Sequence, residues 1–200
     1  RGLDVHLHER GEEGATTLLH LAELVTLAGL SGKAAVSHGF ALADLYAGDR
    51  ARFDLVSDAL AAAGVSVVTS LPGEGLCPPV AALSDRGVNV VVASDNIRDS
   101  WSPFGRGDPL ERACLAAYLA GWRTDDSLAR ALDLVSVHSS TLLGLRQAAL
   151  EPGNDADFTL VRAGSLAEAI VGQSPDRVVV RRGRPVSGAA LIGAVEPASV

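Results

Sequence analysis

The sequence predicts an α/β fold built from parallel strand-helix-strand units. Four strand-like apolar segments alternate with amphipathic helical patterns up to about residue 150. The first, second and fourth of these segments each end in an ionisable side chain, at His6 to Glu9, His38 and Asp95. Strands that alternate with helices form parallel sheets with right-handed crossovers. We therefore expect these ionisable residues to lie at one edge of the sheet.

The first predicted strand, Leu3 to Glu9, alternates in polarity. Its apolar residues share one face, and Asp4, His6 and His8 share the other, because successive strand side chains point to opposite sides. An apolar back and a polar front indicate a strand that carries a site. The other predicted strands are Lys33 to His38, Val65 to Leu71 and Val88 to Ser94.

Start and stop signals place the helices between these strands. Gly11 to Gly14 is predicted as a polar turn before a helix with a buried stripe at Leu18, Leu21 and Val25. Asp49 is predicted to cap a second helix that Gly64 ends. Later helices are predicted to start at Asp108-Pro109, at Thr124 and at Ser140, the last running to Leu145.

The composition changes near residue 150, where we place a domain boundary between residues 1–150 and 151–200. Short strand patterns joined by glycine turns follow it. They lie at Ala156 to Arg162, Arg177 to Arg182 and Pro185 to Val186.

Composition limits the classes of function. The chain has 24 acidic and 17 basic residues and a formal net charge of −7, which argues against a nucleic-acid partner. No apolar stretch reaches the roughly 20 residues that span a bilayer, and the charged start is unlike a signal peptide. We expect a cytoplasmic protein without a membrane partner, with Cys77 and Cys114 as free, buried thiols.

The spacing of the ionisable residues fits a (β/α)₈ barrel. Such a barrel of about 250 residues has roughly 31 residues per unit, and its active site lies at the carboxyl ends of the strands. His6 and His38 are 32 residues apart, and Asp95 follows 57 residues later. These separations predict one and then two units, with all three side chains at one rim.

Imidazole and carboxylate groups at one rim are the ligands of a hydrolytic metal site. His6 and Asp95 could supply two of these ligands, and Glu9 is placed to move a proton between water and substrate. Taken alone, His6 would equally suit a buried structural histidine. A second histidine for an HExxH motif and a PCxxC motif are both absent from the sequence, which excludes two competing zinc sites.

Several motifs resemble those of a known family. They are Leu3 to Glu9, Ser37-His38, Ser94-Asp95-Asn96, Asp99 to Gly105, Glu151 to Phe158 and Val178 to Val186. Together they resemble the metal-dependent amidohydrolases and, within them, the cytosine deaminase branch. The resemblance covers nearly the whole chain but only the second half of the family's barrel, strands five to eight, followed by part of a small β-sandwich.

The resemblance implies roles for the candidate residues. His6 and Asp95 would bind one divalent metal ion, iron or zinc. Glu9 would shuttle protons, His38 would contact the attacking hydroxide and the substrate, and Asp95 would also accept the proton of the water. Trp101 would lie near the substrate pocket, although it could instead pack under the rim.

Other features depart from the family pattern. The first-strand HxH ligand pair has no counterpart, so we expect completion by a missing N-terminal half, or a homo-oligomer. His8 and Asn96 stand where cytosine deaminases carry acids, and Pro72 to Pro79 resembles a shortened substrate loop. An Asn can donate a hydrogen bond where an Asp only accepts, which favours a ring with another acceptor pattern. The role of His8 stays open between support of the site and a solvent-facing position.

These observations predict a hydrolase of non-peptide carbon-nitrogen bonds in small cyclic molecules. The leading hypothesis is deamination of a cyclic amidine such as cytosine or a related pyrimidine or triazine. A second hypothesis is hydrolysis of a cyclic amide or release of an alkylamine. A third, from a different class, is a catalytically incomplete fragment or assembly subunit.

Overall fold

A parallel sheet forms the centre of the molecule. The computed structural model describes residues 2–73, 75–145 and 151–188. Its first sheet has the strand order β1-β2-β3-β4, and every neighbouring pair is parallel. The strands are β1 (Leu3–Leu7), β2 (Ala34–His38), β3 (Val65–Thr69) and β4 (Val90–Val92). The predicted α/β fold with a parallel sheet is confirmed.

The strand register aligns the carboxyl ends of the strands. Val5 pairs with Val36, Val36 with Val67, and Val67 with Val90, so one row of valines crosses the sheet. Val36, Val67 and Val90 are fully buried, as expected for parallel strands covered by helices. Residues that follow the strands therefore gather at one edge.

Helices pack on the sheet, and the sequence predicts the apolar stripes of the first and the third of them. They are α1 (Gly11–Leu27), α2 (Ala41–Gly48), α3 (Arg50–Ala63) and α4 (Val80–Asp85). Leu18 and Val25 of α1 and Phe53 and Leu60 of α3 are each at most 1% exposed and join the core beneath the sheet. The helix α2 was not predicted from sequence, although its Ala41 and Leu42 are fully buried.

The prediction of a turn at Gly11 to Gly14 is wrong, because α1 already begins at Gly11. A Cβ atom on Gly14 would lie 2.3 Å from the Glu9 carbonyl oxygen and 2.6 Å from the Ala41 Cβ atom. Glycine here permits a close approach between the first turn of α1, the chain that leaves β1, and α2. Gly14 therefore lies inside the helix because a larger residue would not fit there.

Predicted helix termini are confirmed where a local capping signal exists. The Asp49 carboxylate accepts a hydrogen bond from Arg52 N at 3.0 Å, and Gly64 ends α3 in the left-handed conformation with φ 65°. Asp108 accepts from Leu110 N at 3.0 Å at the start of α5 (Pro109–Ala120). Two further helices follow, α6 (Asp125–Asp133) and α7 (Val137–Leu142), the last starting three residues before the predicted Ser140.

The C-terminal part forms a second sheet with the antiparallel order β5-β6-β7. Its strands are β5 (Phe158–Val161), β6 (Arg177–Arg181) and β7 (Arg184–Ser187), and the unpredicted α8 (Leu166–Gly172) lies between the first two. Ile170 of α8 is fully buried in a cluster with residues of α5 and α6. The predicted boundary near residue 150 lies outside the described residues, as do residues 189–200 of the predicted second domain.

Both cysteines are free, as predicted, but each is half-buried, so the prediction of buried thiols is wrong. Cys77 lies in the irregular segment between β3 and α4, where its Sγ accepts a hydrogen bond from Gly73 N at 3.1 Å. Burial raises the pKa of this thiol. Within the described residues, no helix has the length and apolar character required to cross a membrane.

Candidate active site

Three histidines meet at the carboxyl ends of the first two strands. One ring nitrogen from each of His6, His8 and His38 lies within 4.8 Å of the other two. His38 Nε2 is 3.2 Å from His6 Nδ1. The ring centroids of His8 and His38 are 4.4 Å apart, in an edge-on arrangement. The sequence predicted a common rim for His6 and His38, and the structure adds His8 to the same cluster.

The backbone of His38 explains how its ring reaches this cluster. The register pairs His38 with Leu7, whose side chain is buried on the apolar face of β1. Regular alternation would send the His38 ring to that same face. Instead, His38 has φ 76°, in the left-handed region that non-glycine residues rarely adopt. With this backbone conformation, the His38 imidazole lies beside that of His6.

The Phe40 ring packs against two of the three imidazoles, those of His8 and His38. The Phe40 ring stacks on His8 with a centroid distance of 5.4 Å and an interplanar angle of 22°. It lies at the same centroid distance from His38, with the rings tilted by 53°. Burial lowers the pKa of His38, repulsion from His8 and His6 lowers it further, and the Asp95 and Asp4 carboxylates oppose this effect. These effects favour the neutral imidazole, the form that binds metals.

Polar contacts also tie β1 to its surroundings. Ser37 Oγ donates a hydrogen bond to Asp4 Oδ1 at 3.0 Å, which joins the polar faces of β1 and β2. Glu9 follows β1 as an exposed residue, and no hydrogen bond among the described residues joins it to the three imidazoles. The Asp44 carboxylate on α2 fixes the next part of the chain, because it accepts hydrogen bonds from Arg10 Nε and Gly11 N, both at 3.0 Å. The Arg10 partner lowers the pKa of Asp44.

A cavity of about 500 Å³ lies beside the ends of β3 and β4 and takes in Asp95, Asn96 and Trp101. Most of the other lining residues are apolar: Leu71, Pro72, Leu76, Ile97, Pro103, Phe104 and Leu115. Trp101 and Phe104 are 85% and 77% exposed at the same time. The alternative that Trp101 packs under the rim is therefore wrong, because its ring contributes to an open cavity wall.

The predicted site residues thus fall into two neighbouring groups. His6 and His38 belong to the imidazole cluster, and Asn96 and Trp101 belong to the cavity. Asp95 lines the cavity and influences the pKa of His38, but it is not among the three groups that meet within 4.8 Å. Sequence reasoning left His8 undecided and did not single out Phe40, although a polar-face position two residues after His6 was a usable signal for His8.

The donor set of the cluster suits a metal ion. Imidazole nitrogens are common ligands of zinc and iron, and three of them are close enough to face one ion. Parallel strands with histidines clustered at their carboxyl ends define an α/β protein with a candidate metal site.

Comparison with known proteins identifies the family. A family model described as the amidohydrolase family matches residues 1–187. The chain belongs to the amidohydrolase family, and its resemblance to the cytosine deaminase branch is confirmed. Members of this superfamily generally use a metal ion.

Solved structures of the family share the fold. N-isopropylammelide isopropylaminohydrolase from Burkholderia multivorans superimposes with a TM-score of 0.86 and 40% identity, over 93% of this chain and 47% of that chain. The 5-methylcytosine deaminase from Klebsiella pneumoniae gives a TM-score of 0.80 at 27% identity, over 93% and 48%. An uncharacterised Escherichia coli protein, YahJ, is 33% identical over 193 residues, which are 94% of this chain and 41% of YahJ. The chain spans about half the length of the relatives that it matches.

Proposed function

We propose that this chain supplies the second half of a (β/α)₈ barrel in a metal-dependent hydrolase of carbon-nitrogen bonds. In this proposal β1 to β4 are the fifth to eighth strands of the barrel, and residues 151–200 belong to a small β-sandwich domain. The family match and the half-length alignments support the assignment. The observation that carries the function is the meeting of three imidazoles at the carboxyl ends of β1 and β2.

His6 and Asp95 would hold one divalent ion, iron or zinc, and His8, whose ring nitrogen lies within 4.8 Å of that of His6, could supply a further ligand. When bound, such an ion lowers the pKa of a water molecule and so supplies a nucleophile at neutral pH. His38, whose surroundings lower its pKa and so favour the neutral imidazole, would accept a hydrogen bond from the attacking oxygen or orient it toward the substrate. Trp101 and Asn96 would form the side of the pocket that receives a planar ring.

Glu9 would carry the protons of the reaction. In deamination a carbon-oxygen bond forms and a carbon-nitrogen bond breaks, so water is consumed and ammonia leaves. Glu9 would take one proton from the attacking water and pass it to a ring nitrogen as the carbon-oxygen bond forms. The second proton of that water, accepted by Asp95, would reach the departing ammonia through Glu9 as the carbon-nitrogen bond breaks. The exposed position of Glu9, two residues after the strand that bears His6, supports this role.

The Glu9→Gln variant tests this function. An amide cannot carry the proton, so turnover of cytosine or of the best substrate from a triazine and pyrimidine panel should fall by about 10² or more. Metal content should stay at the parent value, because Glu9 is not a proposed ligand. Glu13→Gln is the matched control, since Glu13 is also exposed and lies in the first turn of α1. Full turnover in Glu9→Gln would contradict the assignment.

The same measurements address the missing barrel half. They are best made on this chain alone and on any longer polypeptide in which it is encoded. An HxH motif about 150 residues before His6 would complete the metal site at the expected unit spacing. Absence of metal from every form of the protein would instead support a catalytically incomplete subunit.

Release of an alkylamine is a second candidate function, favoured by the apolar walls of the cavity. Eight of the cavity-lining residues have apolar or aromatic side chains that could cover an alkyl group: Leu71, Pro72, Leu76, Ile97, Trp101, Pro103, Phe104 and Leu115. The similar Burkholderia protein is named for the release of isopropylamine from N-isopropylammelide. Product analysis separates the two functions, because ammonia from cytosine supports deamination and isopropylamine from N-isopropylammelide supports the second candidate.

A further inference from the structure

The segment between β4 and α5 is organised by the side chain of Asp99. Its Oδ2 accepts a hydrogen bond from Asn96 Nδ2 at 2.5 Å. Its Oδ1 accepts two more, from the backbone N–H groups of Trp101 and Ser102, both at 2.9 Å. One exposed carboxylate therefore bonds to three residues that line the cavity.

Backbone hydrogen bonds close the same turn. Asp99 N donates to Ser102 O at 3.0 Å, and Arg98 N donates to Phe104 O at 3.2 Å. Arg98 has φ 49°, a left-handed backbone conformation that is uncommon for residues other than glycine, asparagine and aspartate. Bonds from an aspartate to N–H groups two and three residues ahead stabilise a tight turn. Here they hold the turn whose tip is Trp101.

The bond to Asn96 also fixes which end of that amide faces Asp99. A carboxylate only accepts hydrogen bonds, so Asn96 must turn its NH₂ group toward Asp99. Its three hydrogen bonds hold the pKa of Asp99 below the usual range, so Asp99 is ionised near neutral pH. Among the described residues, none donates a hydrogen bond to Asn96 Oδ1. This oxygen is left as an acceptor at the cavity.

We infer that Asp99 is a positioning residue for substrate recognition, which holds Trp101 at the cavity mouth and makes Asn96 present a hydrogen-bond acceptor. The inference rests on the proposed function in taking this cavity as the substrate pocket. It adds a requirement on the substrate: the group that faces Asn96 carries an N–H or O–H donor. Asp99 itself touches no reacting atom.

Fluorine NMR of the protein labelled with 5-fluorotryptophan tests whether Asp99 holds Trp101 in place, without any assay of activity. The chain has two tryptophans, and Trp101→Phe assigns the resonance of interest. Asp99→Ala should shift and broaden the Trp101 resonance and leave that of Trp122 unchanged. Asp99→Asn should keep the Trp101 resonance near its parent position, because an amide oxygen can still accept both backbone bonds.

Steady-state kinetics of Asp99→Asn test whether Asp99 fixes the orientation of the Asn96 amide. Its new NH₂ group would oppose the NH₂ group of Asn96, so the Asn96 amide should rotate and present a donor to the substrate. We expect KM for the best panel substrate to rise about tenfold, the effect of losing one hydrogen bond, with kcat within about threefold of the parent. Asp126→Ala is the control, since Asp126 is an exposed acid on the first turn of α6.

The results distinguish failure of the Asp99 inference from failure of the proposed function. The positioning role would be overturned if the Trp101 resonance were unchanged in Asp99→Ala. It would also be overturned if the Trp101 resonance shifted as far in Asp99→Asn as in Asp99→Ala. An unchanged KM in Asp99→Asn would overturn the orientation of Asn96. If no substrate of the panel is turned over, the proposed function fails, and the NMR arms still decide whether Asp99 holds Trp101.

Discussion

Gly14 is important both for the packing of α1 and for the position of Glu9, a candidate catalytic residue. A side chain there would lie against the carbonyl oxygen of Glu9, at a distance that real Cβ contacts do not reach. Because backbone atoms cannot rotate away as a flexible side chain can, either α1 or the chain after β1 must move. A change at Gly14 is therefore transmitted directly to Glu9.

We predict that Gly14→Ala lowers the free energy of unfolding by about 1–3 kcal/mol, the usual cost of overpacking. It should also reduce turnover, because Glu9 is displaced. Gly48→Ala is the matched control, since Gly48 also lies in a helix but a Cβ atom there meets nothing within 4 Å. That control should be neutral or gain up to about 1 kcal/mol from helix propensity. Chemical denaturation of both variants checks the prediction, and equal stabilities would contradict it.

The site residues differ in how far the sequence could predict them. His6 and His38 could be predicted because each lies at or next to the end of a recognisable strand. The direction of the His38 ring could not, since it depends on a left-handed backbone at a residue where regular alternation predicts the opposite face. The polar-face position of His8 could be predicted from the alternation of β1, whereas its contact with His38 depends on how two separate segments of the chain come together.

At the scale of elements, one ion pair connects the second sheet to the first part of the chain. Arg177 at the start of β6 donates to both carboxylate oxygens of Asp108, at 2.7 and 2.9 Å, and Asp108 also caps α5. Both side chains are largely buried, at 21% and 13% exposed. The bidentate geometry and burial make this pair stronger than an ordinary surface pair.

We predict that Arg177→Ala costs about 2 kcal/mol of stability, because it leaves a partly buried carboxylate without its charged partner. Arg162→Ala should cost less than about 1 kcal/mol, since the Arg162–Asp176 pair is exposed. The Arg177 partner lowers the pKa of Asp108. The stabilisation is therefore present above the unfolded pKa of about 3.9 and is lost as pH falls through the lower folded value.

Thermal unfolding between pH 3 and pH 7 measures both effects. The difference between parent and Arg177→Ala should be constant near neutral pH and shrink at the acid end. A difference that grows on acidification, or equal effects of the two arginine substitutions, would contradict the proposed role of the pair.

Elements with a local start or stop signal were the ones that the sequence predicted well. Asp49, Gly64 and Asp108 mark helix termini through contacts within a few residues, so they can be found without the fold. The helix α2 lacks a side-chain cap, and its buried face is defined by packing against α1, so it was missed. The helix α8 follows a short strand and was missed although Ser165 caps it.

At the scale of the whole molecule, the sheet has two edge strands among the described residues. β1 pairs only with β2, and β4 only with β3. Unpaired strand edges invite further pairing. Unit spacing predicted the barrel type, whereas the numbering of the strands as fifth to eighth comes from the resemblance and stays a proposal, as does the β-sandwich.

Hydrogen exchange measured by mass spectrometry tests this arrangement. In the chain alone, amides of β2 and β3 should exchange most slowly, because both strands have neighbours on each side, and amides of β1 should exchange faster. In a longer polypeptide that completes the barrel, exchange in β1 and β4 should slow toward that of the central strands. Equal protection of all four strands in the isolated chain would show that something already covers the edges.

The left-handed backbone of His38 has a consequence for how this sequence could change over time. A residue with a Cβ atom destabilises the fold by about 1–2 kcal/mol in that conformation, whereas glycine does so hardly at all. Selection for abundance alone would therefore favour glycine at position 38, next to the left-handed Gly39. Catalysis would pull in the other direction. In the proposed function, the imidazole at this position is retained for its chemistry, at a cost in stability that glycine would avoid.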